Sequence, residues 1–140
     1  MNTKSEPLQL ELYRGTETIL LVDDEESLRL VLTQALSQEF GYNMLSAGSA
    51  EEALSTVESY PGNIDLLLTD VLLPGISGPK LAEKLLASHL DIIVVYMSGY
   101  TDHNLEEYGI SSSNSILFQK PFTIIGLAAK LREVLDKDDD

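Results

Sequence analysis

Five polar residues of this sequence stand at the ends of short apolar runs, where a charged side chain is costly unless it is paired, bound to a metal or open to solvent. They are Asp23, Asp24, Asp70, Ser98 and Lys120. Carboxylates that converge repel one another, so either their pKa values rise or a cation joins them. Because carboxylate oxygens are hard ligands and no His or Cys stands beside them in the sequence, a bound metal would be Mg²⁺ or, alternatively, Mn²⁺ rather than Zn²⁺.

These residue types match what phosphoryl transfer to an aspartate requires. A carboxylate supplies the nucleophile, while a divalent metal and the Lys120 ammonium neutralise the charge on the phosphoryl oxygens. The Ser98 hydroxyl adds a hydrogen-bond donor. The simpler interpretation is that the aspartates cap helices and turns, and Asp24 is well placed to cap the first helix. That interpretation does not explain why Ser98 and Lys120 occupy equivalent positions after other apolar runs.

The apolar runs before these residues are predicted strands, and amphipathic stretches with helical spacing separate them. The predicted strands span residues 18–22, 42–47, 64–69, 91–97 and 116–119, and the predicted helices span 27–40, 50–57, 77–88, 101–109 and 124–135. Near-continuous apolar strands that alternate with helices predict an α/β fold with a parallel sheet covered on both faces. The carboxyl ends of parallel strands share one edge, so the five polar residues would meet there, and Asp70 would emerge from the core at that edge.

Four segments carry a resemblance to a known family, and they are ILLVDDEESLR, DLLLTDVLLPGISG, VVYMSGYTD and FQKPF. In this order and at strand ends they resemble the receiver domain of response regulators in two-component signalling, most of all the receivers fused to the C-terminus of hybrid sensor histidine kinases. The resemblance implies a flavodoxin-like (βα)5 fold, a doubly wound parallel sheet with strand order 2-1-3-4-5. It makes residues 16–136 the receiver domain, 1–15 an N-terminal linker or tail and 137–140 an acidic C-terminal tail.

The resemblance also implies roles for the acidic residues at the strand ends. Asp70 resembles the phosphoacceptor, and it would contribute to the metal site as well. Asp24 would bind Mg²⁺ directly, and Asp23 would bind it directly or through water. The backbone carbonyl of Leu72 would be the remaining protein ligand.

Two more residues would stabilise the phosphoryl group. Ser98 would donate a hydrogen bond to a phosphoryl oxygen and move on activation, and Lys120 would pair with the phosphoryl group and with the phosphoacceptor.

Two positions depart from the family pattern. The family's switch aromatic sits three residues before the lysine, where this chain has Leu117, and the neighbouring Phe118 should face the other side of the strand. Leu72 stands where many relatives have a polar residue, and we expect it to restrict water access and slow loss of the phosphoryl group.

The charge of the chain limits its partners. The sequence has 9 basic and 23 acidic residues, a net charge of −14. Because binding a phosphate backbone needs a cationic surface, direct contact with nucleic acid is not expected. No apolar run approaches the roughly 18 residues of a membrane span, and the sequence has no signal-peptide pattern and no cysteine, so a cytoplasmic protein without membrane contact is predicted. The resemblance implies a histidine kinase or a histidine phosphotransfer protein as partner, and it allows a phosphorylation-dependent homodimer.

Three functions fit these residues. The first is a phosphoacceptor module that catalyses its own phosphorylation and dephosphorylation. Such an isolated domain is not an enzyme, whereas its parent, if a hybrid, would be a histidine kinase. The second is a degenerate receiver that binds proteins without phosphorylation. The third is a Mg²⁺-dependent phosphohydrolase with an aspartate nucleophile, which usually needs a second acid two residues further on, where this chain has Leu72. The first function is the one the residues predict.

Overall fold

In the computed structural model of this chain, residues 11–89, 91–99, 116–120 and 123–138 are described. Five strands and four helices lie within these ranges: β1 (Thr18–Val22), α1 (Glu26–Gln38), β2 (Asn43–Ala47), α2 (Ala50–Ser59), β3 (Leu66–Asp70), α3 (Gly78–Ser88), β4 (Ile93–Ser98), β5 (Ile116–Gln119) and α4 (Ile124–Asp138). The strands begin and end within two residues of their predicted limits. The helix predicted over 101–109 and residues 1–10 of the predicted N-terminal segment lie outside the described residues.

The strands form one parallel sheet in the order β2-β1-β3-β4-β5, which confirms the predicted fold class. β1 lies between β2 and β3 and pairs with both, so Leu20 is opposite Leu45 on one side and Leu67 on the other. Every residue of β1 is buried. An apolar run without alternation is what a strand with both faces covered requires, and the helices supply that cover.

Side chains of successive strand residues enter two separate cores, one on each face of the sheet. Ile19, Leu21 and Leu68 belong to the core beneath α1 and α4. Leu20 and Leu67 belong to the core beneath α2 and α3. This two-sided cover follows from the period-two alternation of side chains along a strand, and it leaves the carboxyl edge of the sheet as the place where strand ends reach solvent.

The helices next to that edge begin where the sequence provides caps. Ser49 Oγ accepts a hydrogen bond from Glu52 N at 3.1 Å, and Glu52 Oε1 in turn accepts one from Gly48 N at 2.7 Å. Ser77 caps α3 by accepting from Lys80 N at 3.3 Å. These side chains satisfy amide groups that have no partner inside the helix, so they fix where α2 and α3 start relative to the strand ends before them.

The apolar residues of α1 do not all face the core. Leu32 and Leu36 are fully buried, but Val31 is 54% exposed, like the neighbouring Leu30 at 62%. α1 also ends at Gln38 rather than residue 40. Gly41 follows with a φ of +86°, the left-handed conformation that glycine adopts without steric cost. Two apolar side chains therefore point to solvent on the middle of α1.

Residues 11–15, the described part of the predicted N-terminal linker or tail, pack against the domain. Residues 11 and 12 are helical, Gly15 N donates to Phe40 O at 2.9 Å, and Tyr42 Oη donates to Tyr13 O at 3.2 Å. This edge of the sheet is the amino edge, opposite the strand ends that carry the candidate site.

A cluster of ionic contacts, which we call the Arg132 staple, holds this segment to α4. Arg132 Nη2 lies 2.6 Å from Glu17 Oε2 and 2.9 Å from Asp136 Oδ1, and Arg132 Nη1 donates to the carbonyl of Arg14 at 3.1 Å. The hydrogen bonds from Arg132 lower the pKa of Glu17, although burial opposes the shift. A Cβ at Gly15 would overlap the Arg132 guanidinium, so glycine is what leaves room for the staple.

No helix among the described ranges has the length and apolar character needed to cross a bilayer.

Candidate functional site

The five polar residues singled out in the sequence meet at the carboxyl edge of the sheet. Asp70 and Ser98 are the last residues of β3 and β4, while Asp23 and Lys120 directly follow β1 and β5. The prediction that β3 and β4 end before Asp70 and Ser98 is wrong by one residue. Both ladders continue, because Val71 N donates to Met97 O at 3.1 Å and Lys120 N donates to Ser98 O at 2.8 Å.

Burial differs sharply among the three carboxylates. Asp23 is fully buried and Asp70 is 8% exposed, whereas Asp24 is exposed. Asp70 therefore does reach the open edge, but its side chain still lies below the protein surface, at the floor of a pocket. Ser98 is 3% exposed beside it. Buried carboxylates need partners, and the neighbouring lysine supplies them.

Lys120 bridges the two buried carboxylates. Its Nζ lies 2.9 Å from Asp70 Oδ1 and 3.3 Å from Asp23 Oδ2. Asp23 Oδ1 accepts a further hydrogen bond from Glu25 N at 2.9 Å, so both oxygens of the Asp23 carboxylate have a donor. The lysine side chain is 24% exposed, which leaves part of it facing the pocket.

The electrostatics of the pair follow from burial and from these contacts. Burial raises the pKa of Asp70 to about 7, the negative charge of Asp23 adds to the rise, and the hydrogen bond from Lys120 opposes it. Burial would lower the pKa of Lys120, but its hydrogen bond and charge interaction with Asp70 outweigh burial and raise that pKa. Lys120 is thus held as a cation, and it favours the ionised form of the carboxylate beside it.

The carboxylates fit a hard divalent cation. Asp23, Asp24 and Asp70 each offer an oxygen, and these oxygens lie within 4.8 Å of one another. Two ligands of one Mg²⁺ ion can be at most roughly 4.2 Å apart, since each binds at about 2.1 Å. The observed upper limit of 4.8 Å is close to that spacing. The donor set is all oxygen with two or three negative charges, which suits Mg²⁺ or Mn²⁺. The predicted use of the Leu72 backbone carbonyl stays a prediction.

The carboxylates open into a pocket of about 380 Å³, large enough for a phosphoryl group with a metal and its waters. Its lining residues are Asp24, Asp70, Val71, Leu72, Met97, Ser98, Gly99 and Lys120. Leu72, at 38% exposed, places an apolar side chain beside the acidic floor. The pocket therefore combines a polar floor, a cation and an apolar rim.

The structure also tests the departure predicted on β5. Leu117 packs against the core beneath α2 and α3, and Phe118 packs against the core beneath α1 and α4. The two side chains face opposite sides of the sheet, so the prediction for Phe118 is confirmed. The aromatic ring next in sequence does not take the place that Leu117 occupies.

Two residues that shape the site were not found by sequence reasoning. Arg29 Nη1 donates to the carbonyl of Asp23 at 2.7 Å. Gly78 N donates to Val71 O at 2.8 Å, and a Cβ at Gly78 would overlap the carbonyl oxygen of Asp70. Hydrogen bonds to a main-chain carbonyl leave no mark in the sequence. The one signal available was Gly78 at the start of a predicted helix, where a glycine often marks a close approach of two backbones.

Comparison with known families agrees with this geometry. The family model of the response regulator receiver domain matches residues 19–132, and this range contains all the residues of the candidate site. The chain therefore belongs to the response regulator receiver domain family, the receiving component of two-component signalling. This confirms the resemblance predicted from the four sequence segments.

The relatives include both sensor kinases and transcriptional regulators. The chain is 34% identical over 125 residues to the sensor kinase CckA of Brucella abortus, covering 89% of this chain and 13% of that protein. It is 35% identical over 124 residues to the phosphate regulon transcriptional regulatory protein PhoB of Pseudomonas aeruginosa, covering 85% of this chain and 52% of that protein. The chain thus spans about half or less of these curated relatives.

Solved structures give the same assignment. The receiver domain of the hybrid histidine kinase CckA is 35% identical with a TM-score of 0.70, and the match covers 84% of this chain and 98% of that one. A CheY-like receiver domain protein from Methanospirillum hungatei is 26% identical with a TM-score of 0.77, and the match covers 89% and 98% of the two chains. Both are similar to this chain along nearly the whole receiver fold.

Proposed function

We propose that this chain is a phosphoacceptor that takes a phosphoryl group from a phosphohistidine onto Asp70 in a Mg²⁺-dependent reaction. The observation that carries the proposal is the contact of Lys120 Nζ with Asp70 Oδ1 at 2.9 Å, in a pocket where three carboxylates offer oxygens within 4.8 Å of one another. A turn or a helix cap has no need of a half-buried lysine that bridges two carboxylates, whereas phosphoryl transfer needs both charges.

In the proposed reaction, a carboxylate oxygen of Asp70 attacks phosphorus from the side opposite the imidazole of the donor. The P–N bond breaks as the P–O bond forms, and the imidazole nitrogen keeps the electron pair and takes up a proton. Lys120 is close enough to Asp70 to favour the ionised form of its carboxylate and to pair with a phosphoryl oxygen. Ser98, which lines the pocket, would donate a hydrogen bond to another phosphoryl oxygen.

Asp23, Asp24 and Asp70, with the backbone carbonyl of Leu72, would hold the metal. When bound, Mg²⁺ would neutralise negative charge on the phosphoryl oxygens and reduce the repulsion between phosphate and carboxylates. The exposed Asp24 can adjust to the ion, whereas Asp23 is held by donors on both oxygens. Asp23 therefore suits a rigid ligand or one that acts through water.

The partner we propose is a histidine kinase or a histidine phosphotransfer protein. The similarity to the CckA receiver supports a place for this domain in a hybrid histidine kinase. The parent protein would then be the kinase, and the isolated domain would turn over no substrate of its own. Residues 16–136 would form the receiver, with the segments before and after it joining it to its neighbours. A cytoplasmic location, the lack of direct nucleic-acid or membrane contact and a phosphorylation-dependent homodimer are predictions from the sequence.

The test is the intact mass of the protein after incubation with acetyl phosphate, with and without Mg²⁺. We expect a gain of one phosphoryl group that requires Mg²⁺ and is absent in Asp70→Asn. The matched control is Asp65→Asn, which changes an aspartate at the opposite edge of the sheet, where Asp65 Oδ2 accepts from Thr18 N at 2.8 Å. That variant should be phosphorylated like the wild type.

The same experiment separates the other two functions. If neither an adduct nor Mg²⁺ binding is detected, the proposal is wrong and a degenerate, protein-binding receiver takes its place. Fast, sustained release of phosphate from a small phosphate ester would instead indicate a phosphohydrolase. The apolar Leu72 beside the floor of the pocket gives no general acid for that reaction, and this favours a stored phosphoryl group over turnover.

A further inference from the structure

Arg29 contacts the candidate site through a main-chain carbonyl and not through a carboxylate. It lies near the start of α1 and donates from Nη1 to the carbonyl oxygen of Asp23 at 2.7 Å. That is a short distance, as expected for a hydrogen bond from a charged donor. An arginine so near the amino end of a helix is unfavourable for the helix dipole, so helix stability does not account for its position.

This contact completes the fixation of the Asp23 main chain. Asp23 N donates to Ala47 O at 3.1 Å on the neighbouring strand β2, and its carbonyl receives the Arg29 guanidinium. The Asp23 carbonyl belongs to the peptide plane that leads into Asp24. Holding that oxygen therefore sets the direction in which the Asp24 side chain leaves the backbone.

The guanidinium lies against the turn between β2 and α2. A Cβ at Gly48 would be 3.0 Å from Arg29 Nη1, closer than most side-chain contacts, and at an ordinary contact distance of 3.5 Å from Arg29 Cζ. The absence of a side chain at Gly48 thus leaves the space that Arg29 occupies. Glu52 Oε1 anchors this turn through Gly48 N at 2.7 Å. Arg29 consequently joins two turns at the carboxyl edge of the sheet.

We propose that Arg29 is a positioning residue for the carboxylate cluster and that it raises the affinity of the site for Mg²⁺. It acts by holding the peptide between Asp23 and Asp24 so that both carboxylates face the same point. This inference rests on the proposed function, since it assumes that the cluster binds the ion. An arginine suits the task because its planar group carries several donors in fixed directions.

The test is the Mg²⁺ dissociation constant of the full chain, measured by calorimetry, together with the urea midpoint without Mg²⁺. Arg29→Met keeps the apolar stem and removes the donors, and we expect it to weaken Mg²⁺ binding by about tenfold or more, as losses behind a metal site commonly do. Arg29→Lys, which keeps one charged donor, should recover part of the affinity. Gly48→Ala should weaken binding to a smaller extent than Arg29→Met, because its Cβ would push the guanidinium aside by a few tenths of an ångström without changing any charge.

Arg14→Met is the matched control. Arg14 Nη1 also donates to a carbonyl, that of Glu39 at 3.3 Å, but it lies at the amino edge of the sheet. The Arg14→Met variant removes the same charge as Arg29→Met, and its Mg²⁺ affinity should stay within twofold of the wild type. A purely structural role for Arg29 would lower the urea midpoint and leave the dissociation constant of the folded protein unchanged.

The outcomes distinguish this inference from the proposed function. If the wild type binds Mg²⁺ and Arg29→Met and Gly48→Ala bind it equally well, the positioning role is refuted and the proposed function stands. Equal weakening in Arg14→Met would also refute it, because the effect would then not depend on the contact of Arg29 with the Asp23 carbonyl. If the wild type does not bind Mg²⁺, both the proposed function and this inference fail. Should Arg29→Met not fold, Arg29→Lys and Gly48→Ala still decide.

Discussion

Gly78 is the first residue of α3, and its missing side chain lets that helix begin against the strand that carries Asp70. A Cβ at Gly78 would overlap the carbonyl oxygen of Asp70, and it would lie 3.1 Å from the Asp70 carbonyl carbon and 3.3 Å from Thr69 Cγ2. The oxygen and carbon belong to the backbone of β3, which is hydrogen-bonded to both neighbouring strands. They cannot rotate away as a flexible side chain would.

We therefore predict that Gly78→Ala lowers the free energy of unfolding by about 2 kcal/mol. Overpacking a well-packed site costs about 1–3 kcal/mol, and overlap with a fixed backbone oxygen places this case near the upper value. The better helix propensity of alanine offsets at most about 1 kcal/mol. With a urea dependence of about 1–3 kcal/mol per M, the midpoint should fall by roughly 1 M.

Urea unfolding followed by far-ultraviolet circular dichroism measures this shift, and two other glycines serve as controls. Among the described residues, no atom lies within 4 Å of a Cβ built at Gly99 or at Gly75. Gly99→Ala should change stability by less than about 0.5 kcal/mol. Gly75 has a φ of +85°, so Gly75→Ala should cost about 1–2 kcal/mol through backbone strain alone. A Gly78→Ala midpoint equal to that of the wild type would refute the steric reasoning, as would an equal loss in Gly99→Ala.

Three further predictions concern the rim of the pocket, the bridging lysine and the staple. Leu72→Asn should shorten the lifetime of the phosphorylated protein, because a polar rim admits the attacking water; an unchanged decay of the adduct mass would sink this idea. Lys120→Met should abolish the gain of a phosphoryl group from acetyl phosphate, and normal labelling would show that the lysine is dispensable. Because Arg132 lowers the pKa of Glu17, the stability that this pair adds is complete above about pH 4.5 and is lost as pH falls through the lower folded value. Urea midpoints from pH 7 to pH 3 should therefore fall less steeply in Glu17→Gln, and identical slopes would contradict the assignment.

The strands and the positions of the site residues could be predicted because their signal is local. A run such as TILLV, followed at once by two aspartates, states both a buried strand and its end. The carboxyl-terminal limits of β3 and β4 were missed by one residue, because a ladder ends where its hydrogen bonds end and not where the apolar residues stop. Asp70 and Ser98 are polar, yet the ladder runs past both.

Other features depend on contacts between distant segments, and the sequence carries no local sign of them. Val31 fits the helical spacing of its neighbours, but the angle at which α1 lies on the sheet turns it toward solvent. Arg29 is only 6 residues from Asp23, but its contact with the Asp23 carbonyl depends on how α1 lies relative to the end of β1. The packing of Gly15 against Arg132 joins the two ends of the described domain.

The Arg132 staple has a consequence for how such a domain can be combined with others. It holds the segment that leads into β1 against the later part of α4, and the two residues that it joins are 118 positions apart in sequence. This contact lies at the amino edge of the sheet, opposite the acidic pocket. Domains attached before or after this one would therefore lie near the amino edge, and the carboxyl edge would stay accessible to a phosphodonor. The ends of the described domain lie near each other, an arrangement that favours circular permutation and insertion into a host chain. Connections to other domains would therefore lie at the amino edge of the sheet, whereas the acidic pocket lies at the carboxyl edge.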